Sequence, residues 1–379
     1  MEEVRPAPVT ERSTPRLVEL DWLRGLVMVL MTIDHASDSF NAGRLFTDAV
    51  FFYTPGTPLP AGQFLLRWVT HLCAPTFVFL AGTSLALSVT RRAAAGESAS
   101  SLDRHIVARG LIIAAIDPLW MSVVFLPGRV LFQVMYAIGA SLVCMAALRR
   151  LPARVLATAG LALVVGCEAL AGLAMWAGGG KTTLLGGLLV TGGQFGFVVV
   201  GYPLLPWLAI MMLGWAFGRL LAEGGAIAPA KLALAGVASL ALFAVVRGVN
   251  GYGNFLLPRD DGSLVQWLHV SKYPPSLSYT LLELGLMALV LGAFAALRRA
   301  EASGPVLRVL ALFGSTALFF YVLHAHLLHF AALLLGVQRK LGVGATFLAS
   351  AAVVAALYPL CGWFRRYKSA HPAGWARYV

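Results

Sequence analysis

Charged residues and cysteine are scarce in this sequence. Asp, Glu, Lys and Arg together make up 12% of the chain, whereas a soluble domain has about 25%. Apolar residue types rise to 59%, so we expect lipid, and not merely a larger core, to surround the chain. The four cysteines lie singly inside apolar stretches, at no spacing typical of a metal site or a redox pair, and no disulfide framework is implied.

The formal net charge of +12 raises the question of nucleic-acid binding. The basic residues do not form one patch, however. They lie in short loops between apolar stretches, which is the pattern of membrane topology signals. We therefore expect a lipid bilayer as partner and no nucleic acid.

Ten apolar stretches are long enough to cross a bilayer, since a spanning helix needs about 20 residues. They cover residues 20–39, 64–89, 105–125, 130–148, 154–177, 197–220, 230–247, 276–297, 306–335 and 343–364. Pro75 is expected to kink the second span, and the ninth can break near Gly314–Ser315. The prediction is an all-α, polytopic integral membrane helix bundle with about ten transmembrane helices.

Lys and Arg are distributed unevenly between alternate loops. With the N-terminus in the cytoplasm, the inner segments carry more than twice as many of them as the outer ones. We therefore predict a multi-pass protein of the inner (cytoplasmic) membrane with both termini cytoplasmic. It has an N-terminal tail (1–19), a transmembrane domain (20–364) and a C-terminal tail (365–379). The outer loops 40–63 and 248–275 are long enough to fold over an outer cavity.

Ionisable side chains inside spans are costly, so each is a candidate for function. At about 1.5 Å per residue, several of them from separate spans reach a similar level in the outer half of the bundle. They are Asp34, His35, Arg67, His71, Glu283 and His324. This convergence predicts a shared polar cavity.

An Asp–His pair with a second histidine suits general base catalysis, because imidazole titrates near neutrality. Asp34 and His35 point about 100° apart on a helix and need not pair with each other. His35 with His71, or His71 with Asp34, are equally open.

Several sequence motifs carry a resemblance to a known family. They are Arg16-Leu-Val-Glu-Leu-Asp21-Trp-Leu-Arg24-Gly25 with the following Asp34-His35, the stretch from Arg67 to Gly82, Tyr202-Pro-Leu-Leu-Pro206-Trp207, Lys272-Tyr-Pro-Pro-Ser276, and the stretch from Gly314 to His324. Over nearly the whole chain the sequence resembles the transmembrane acyltransferases. It is most similar to the bacterial branch related to heparan-alpha-glucosaminide N-acetyltransferase.

The resemblance implies transfer of an acetyl group from cytosolic acetyl-CoA to an amine or hydroxyl of an extracytoplasmic sugar or glycan. The lysosomal branch looks to have its catalytic histidine in the stretch between the first two spans. Here no histidine lies between His35 and His71, so that role falls to one of these two.

The resulting hypothesis assigns each candidate residue a role. His71 or His35 deprotonates the acceptor or carries the acyl group, and Asp34 or Glu283 orients that histidine. Arg67 and Tyr321, together with His324, bind the acceptor or the developing oxyanion, while Arg24, Asp21 and Arg109 bind the donor. No metal is predicted.

A proton-coupled transporter or permease that uses the same buried acids and histidines is the alternative. No internal repeat supports it. The sequence leaves open the acceptor, the acyl group, the kinetic order and whether the chain forms a homo-oligomer.

Overall fold

The computed structural model of the chain describes residues 17–371 and residue 374. Helices dominate it, and we number them α1 (Val18–Phe40), α2 (Ala61–Trp68), α3 (Cys73–Ala94), α4 (Ala99–Ile116), α5 (Ser122–Phe125), α6 (Val134–Leu148), α7 (Ala153–Ala177), α8 (Leu184–Gly186), α9 (Leu204–Ala222), α10 (Pro229–Val249), α11 (Leu264–Leu268), α12 (Leu277–Arg299), α13 (Pro305–Ser315), α14 (Ala317–Leu334) and α15 (Val343–Ala370). Most of the two predicted tails lies outside the described residues.

Three short strands, β1 (Val130–Phe132), β2 (Gly193–Phe195) and β3 (Val198–Val200), form one small sheet in the order β1-β3-β2. The central strand, β3, pairs in parallel with β1 and antiparallel with β2. The sheet joins the two loops that precede α6 and α9.

Eight helical segments in the described part of the chain are long and apolar enough to span a membrane. Two further passes are not identified by length and hydropathy. Helix α1 has 23 residues but carries several acids and an arginine, and α6 has only 15 residues. The predicted all-α, multi-pass membrane bundle is confirmed.

Successive passes run in opposite directions, so their connections gather at two ends of the bundle. We call one of them the cavity end; it is formed by loops 41–60, 126–133, 178–203, 250–276 and 335–342. The opposite end is formed by the short loops 95–98, 149–152, 223–228 and 300–304. Loops 41–60 and 250–276 contact each other, since the Lys272 amide donates to the Asp48 carbonyl at 2.8 Å. Which end faces the cytoplasm stays a prediction.

Glycines let the central helices pack closely. A Cβ atom on Gly214 of α9 would lie 2.0 Å from the Phe79 carbonyl oxygen of α3, and one on Gly25 of α1 would lie 2.0 Å from the Leu310 carbonyl oxygen of α13. Small residues at such crossings allow backbone contact between membrane helices. Any larger residue at these positions would push the helices apart.

Two helix interruptions fall where the sequence predicted them. Between α2 and α3, residues Val69–Leu72 form a 3₁₀ turn, and Pro75 leaves the His71 carbonyl without its helical N–H partner. The Tyr279 hydroxyl donates to that carbonyl at 3.0 Å. The ninth span breaks at Thr316, between α13 and α14, and the Gly314 carbonyl accepts from Arg24 Nη1 at 3.1 Å. Each interruption therefore frees a carbonyl that a side chain from another helix binds.

Candidate active site

A cavity of about 780 Å³ lies at the cavity end of the bundle. Residues from α1, α2, α3 and α14 form its floor, and the loops and the small sheet form its rim. Of the predicted site residues, Asp34, His35, Arg67 and Tyr321 line it. Aromatic side chains from several loops line much of the rest. A shared cavity between separate spans is thus present, and it joins distant parts of the chain.

Three arginines and three aspartates alternate along one wall in a continuous series of ion pairs, which we call the ion-pair chain. It runs Arg339, Asp38, Arg44, Asp34, Arg67, Asp48, with successive N···O distances of 2.7, 3.4, 3.0, 2.7 and 2.6 Å. The chain joins α1 and α2 to loops 41–60 and 335–342. The sequence pointed to Asp34 and Arg67 but missed the other four members.

Arg67 is buried at the centre of this chain, with 6% of its surface exposed. Its Nη1 donates to both Asp34 carboxylate oxygens at 2.7 Å. Its Nε donates to Asp48 Oδ2 at 2.7 Å, and its Nη2 donates to the Tyr273 hydroxyl at 3.1 Å. These donors are engaged within the protein, so Arg67 acts chiefly as the clamp between two carboxylates.

Asp48 lies in loop 41–60 and is 4% exposed. Burial alone would raise the pKa of its carboxyl, but the Arg67 guanidinium and the His71 ring outweigh burial and hold that pKa well below its usual range. Asp48 is therefore ionised at neutral pH. It anchors its loop to α2 and, through its carbonyl, to Lys272.

His35 and His324 form a hydrogen-bonded pair at the cavity. His35 Nδ1 lies 2.7 Å from His324 Nε2, and the two rings are nearly parallel, with an interplanar angle of 10°. His324 Nδ1 lies 3.0 Å from the Phe320 carbonyl oxygen. A carbonyl only accepts, so His324 Nδ1 carries a hydrogen and, in the neutral ring, His324 Nε2 accepts from His35 Nδ1–H. This leaves the lone pair of His35 on Nε2.

The two members of the pair differ in exposure. His35 is half-buried and lines the cavity, whereas His324 is 0% exposed and lies behind it. The structure therefore brings together a predicted catalytic residue and a predicted binding residue. His324 does not line the cavity itself and contacts His35 behind it.

His71 and Glu283 lie deeper. His71 is 2% exposed, and its Nε2 lies 3.5 Å from Asp48 Oδ2. Glu283 on α12 is 1% exposed and follows Tyr279 by one helical turn. Among the described residues neither is part of the cavity lining. The sequence left open whether His35 pairs with His71. In the structure, His35 pairs with His324 instead.

The predicted donor-binding residues lie away from the cavity, toward the opposite end. Arg24 Nη1 pairs with Asp21 at 3.2 Å, and Arg24 Nη2 donates to the Ser84 hydroxyl at 2.8 Å. Arg109 on α4 and Lys368 on α15 are close enough to interact electrostatically with Arg24. Three cations from three helices therefore gather in this region.

Two cavity residues, Lys272 and Tyr273, come from a motif that the sequence showed only as part of the resemblance. Lys272 is 4% exposed and lines the cavity beside Tyr273. Both lie in loop 250–276, where no hydropathy signal marks them. For metals, no cluster of three or more His, Cys, Asp or Glu side chains able to hold an ion occurs in the described ranges.

The sequence matches the family model of the heparan-alpha-glucosaminide N-acetyltransferase catalytic domain over residues 16–247, more than half of the chain. The matched range includes Asp34, His35, Arg67 and His71 and ends before Lys272, Tyr321 and His324. No curated protein matches the chain in sequence.

Proposed function

We propose that this chain, which belongs to the family of the heparan-alpha-glucosaminide N-acetyltransferase catalytic domain, transfers an acetyl group from acetyl-CoA to an amine or hydroxyl of a sugar. The family is one of membrane acetyltransferases, and the chain is a multi-pass membrane protein. The donor, the acceptor and the residues that act are the proposal.

The proposal is supported chiefly by a series of hydrogen bonds at the cavity, in which the Phe320 carbonyl binds His324 and His324 binds His35. This series leaves the lone pair of His35 on Nε2, and His35 lines a cavity of about 780 Å³. As the acceptor nitrogen or oxygen attacks the thioester carbonyl, its proton passes to His35 Nε2. When the tetrahedral intermediate collapses, the carbon–sulfur bond breaks and the proton leaves with the CoA thiol. His324 stabilises the charged His35 ring by accepting from its Nδ1–H.

The remaining cavity residues have supporting roles. Tyr321 lines the cavity and its ring lies 6.4 Å from that of His35, so its hydroxyl can donate to the carbonyl oxygen of the thioester or hold the acceptor. The ion-pair chain fixes Asp34 next to His35. His71 and Glu283 position the wall behind Arg67.

The donor's phosphates fit the region of Arg24, Arg109 and Lys368, because guanidinium groups bind phosphate in a bidentate manner. Along α1, Arg24 and His35 are separated by roughly 16 Å, at about 1.5 Å per residue. An extended pantetheine arm covers such a span. With both termini in the cytoplasm, this end faces the cytosolic pool of acetyl-CoA.

Incubation of the purified protein with radiolabelled acetyl-CoA and amino-sugar acceptors tests the proposal. The wild type should produce labelled sugar, and His35→Gln should reduce the rate by about 100-fold or more. His326→Gln is the matched control, because His326 lies on α14, the helix that carries His324, and contacts Trp120 away from the cavity. Full activity in His35→Gln, or an equal loss in His326→Gln, would refute the assignment.

Coenzyme A binding separates the transferase from a proton-coupled transporter. A protein that binds the donor is stabilised by it according to mass action. CoA should therefore raise the melting temperature of the wild type, and less that of Arg24→Met. A transporter with no donor site would show no CoA-dependent shift.

A further inference from the structure

The cavity wall carries more positive than negative charge. Its three acids, Asp34, Asp38 and Asp48, all belong to the ion-pair chain, where three arginines balance them. Lys272 and Arg129 also line the cavity and are not members of that chain. The wall therefore has two cations in excess.

Of these two, Lys272 is the buried one. It is 4% exposed, and its backbone amide is fixed by the Asp48 carbonyl at 2.8 Å. Its ammonium nitrogen lies 5.4 Å from the centre of the Tyr273 ring. Among the described residues, no carboxylate lies within ion-pair distance of that nitrogen. The carboxylates of Asp34 and Asp48 interact with Lys272 electrostatically, but both are already paired with arginines. A buried charge without a direct ion-pair partner is costly.

We propose that Lys272 is the centre of an anion-binding subsite in the cavity, which takes a carboxylate, sulfate or phosphate group of a reactant. The subsite rests on the proposed function only in naming the anion as part of a reactant. Arg129, exposed at the rim, adds attraction at the entrance.

The neighbouring phenol reports the same positive potential. Burial and the nearby carboxylates would raise the pKa of Tyr273, but Lys272 and Arg67 outweigh them and lower that pKa below its usual value. The Tyr273 hydroxyl already accepts from Arg67. A site that stabilises a buried phenolate also stabilises a bound anion.

Equilibrium binding of inorganic phosphate and of sulfate to the detergent-solubilised protein tests the subsite without any turnover. Lys272→Met, which keeps the length of the side chain and removes its charge, should weaken binding of both anions by about tenfold or more. Lys272→Arg should retain most of the affinity. Lys340→Met is the matched control, because Lys340 is exposed at the same end and lies outside the cavity lining.

The melting temperature in anion-free buffer separates a binding role from a structural one. If the charge of Lys272 serves to bind a ligand and not to stabilise the fold, Lys272→Met should be as stable as the wild type or more so. Lys272→Gln replaces it if the methionine variant does not fold. Unchanged anion affinity in the charge-free variant, or an equal loss in Lys340→Met, would overturn the subsite.

Two further probes identify which reactant carries the anion. Glucuronate compared with glucose represents the acceptor, and coenzyme A compared with pantetheine represents the donor. In the wild type, the anionic member of each pair should bind more tightly than the neutral or less charged member. The pair for which this preference disappears in Lys272→Met contains the natural anion. If Lys272→Met keeps the preference in both pairs, the proposal is contradicted. Loss of anion binding with no detectable acetyl transfer would support the subsite and refute only the proposed reaction.

Discussion

The two ends of the bundle are built differently. At the cavity end, long loops fold over a cavity and contribute buried charges to its wall, as Asp48 and Lys272 do. At the opposite end, the turns are short and the ion pairs range from exposed, as between Arg219 and Glu223, to partly buried, as between Arg298 and Glu19. Buried charges are expensive and are kept where they serve binding or chemistry. The contrast supports the proposal of a reaction at the cavity end.

The two ends should differ most in the stability that is lost when one ion-paired arginine is replaced at each end. Arg67→Met leaves Asp34 and Asp48 buried without their shared cation, so the free energy of unfolding should fall by about 3–5 kcal/mol. Arg149→Met, whose partner Asp103 is 19% exposed, should cost about 1 kcal/mol or less. Chemical denaturation in mild detergent measures both, and equal losses would abolish the contrast.

A smaller and more local effect should follow from Arg247→Met. Arg247 is 0% exposed and donates to the carbonyls of Leu257 and Gln266 at 2.8 and 2.7 Å and to that of His269. Its removal frees several buried acceptors. Because local opening of the loop lets water reach them, the net loss should be about 1–3 kcal/mol. Amide hydrogen exchange should accelerate in residues 250–276 and stay unchanged at the opposite end. The control is Lys340→Met, because Lys340 is exposed at the same end of the bundle.

Mild acid should weaken the contact between the two long loops. Burial lowers the pKa of the His269 imidazole, and its hydrogen bond to the Thr47 carbonyl, at 2.7 Å, opposes this only in part. The unfolded state then binds more protons than the folded state below pH about 6.5. Stability should fall as the pH drops through this range, by at most about 1.4 kcal/mol per unit for one proton. Thermal unfolding should be measured for the wild type and His269→Gln between about pH 7 and about pH 5. The melting temperature of His269→Gln should depend less on pH than that of the wild type. An identical pH dependence would rule out His269 as the cause.

The smallest effect is expected at the opposite end. Glu223→Gln removes the pair with Arg219, which lies at 2.8 Å on a helix surface where Glu223 is 61% exposed. Such pairs contribute about 0.3–0.5 kcal/mol. A loss above about 2 kcal/mol in thermal or chemical unfolding would show that this end also depends on its ion pairs.

The sequence predicted the bundle well because hydropathy marks spans directly. It also predicted both helix interruptions, since Pro75 and the Gly314–Ser315 pair carry their own backbone signals. It placed spans at 20–39 and 130–148, where α1 and α6 lie, although α1 carries several charges and α6 has only 15 residues.

The site was predictable only in part. Charges within spans, such as Asp34, His35 and Arg67, stand out against apolar neighbours. Asp48 and Lys272 lie in loops, where polar residues are ordinary, and only the folding of loop 41–60 against loop 250–276 buries them. The choice of partner for His35 required geometry, because helical periodicity places His71 and His324 at similar depth.

The proposed reaction depends on His35, held by His324, as the base. Acetyl transfer from labelled acetyl-CoA should therefore be compared in His35→Gln and His71→Gln, each checked for wild-type-like thermal stability. We expect a loss of about 100-fold or more for His35→Gln and at most about tenfold for His71→Gln, which lies behind the cavity wall. The reverse order, with His71→Gln inactive and His35→Gln active, would contradict this assignment.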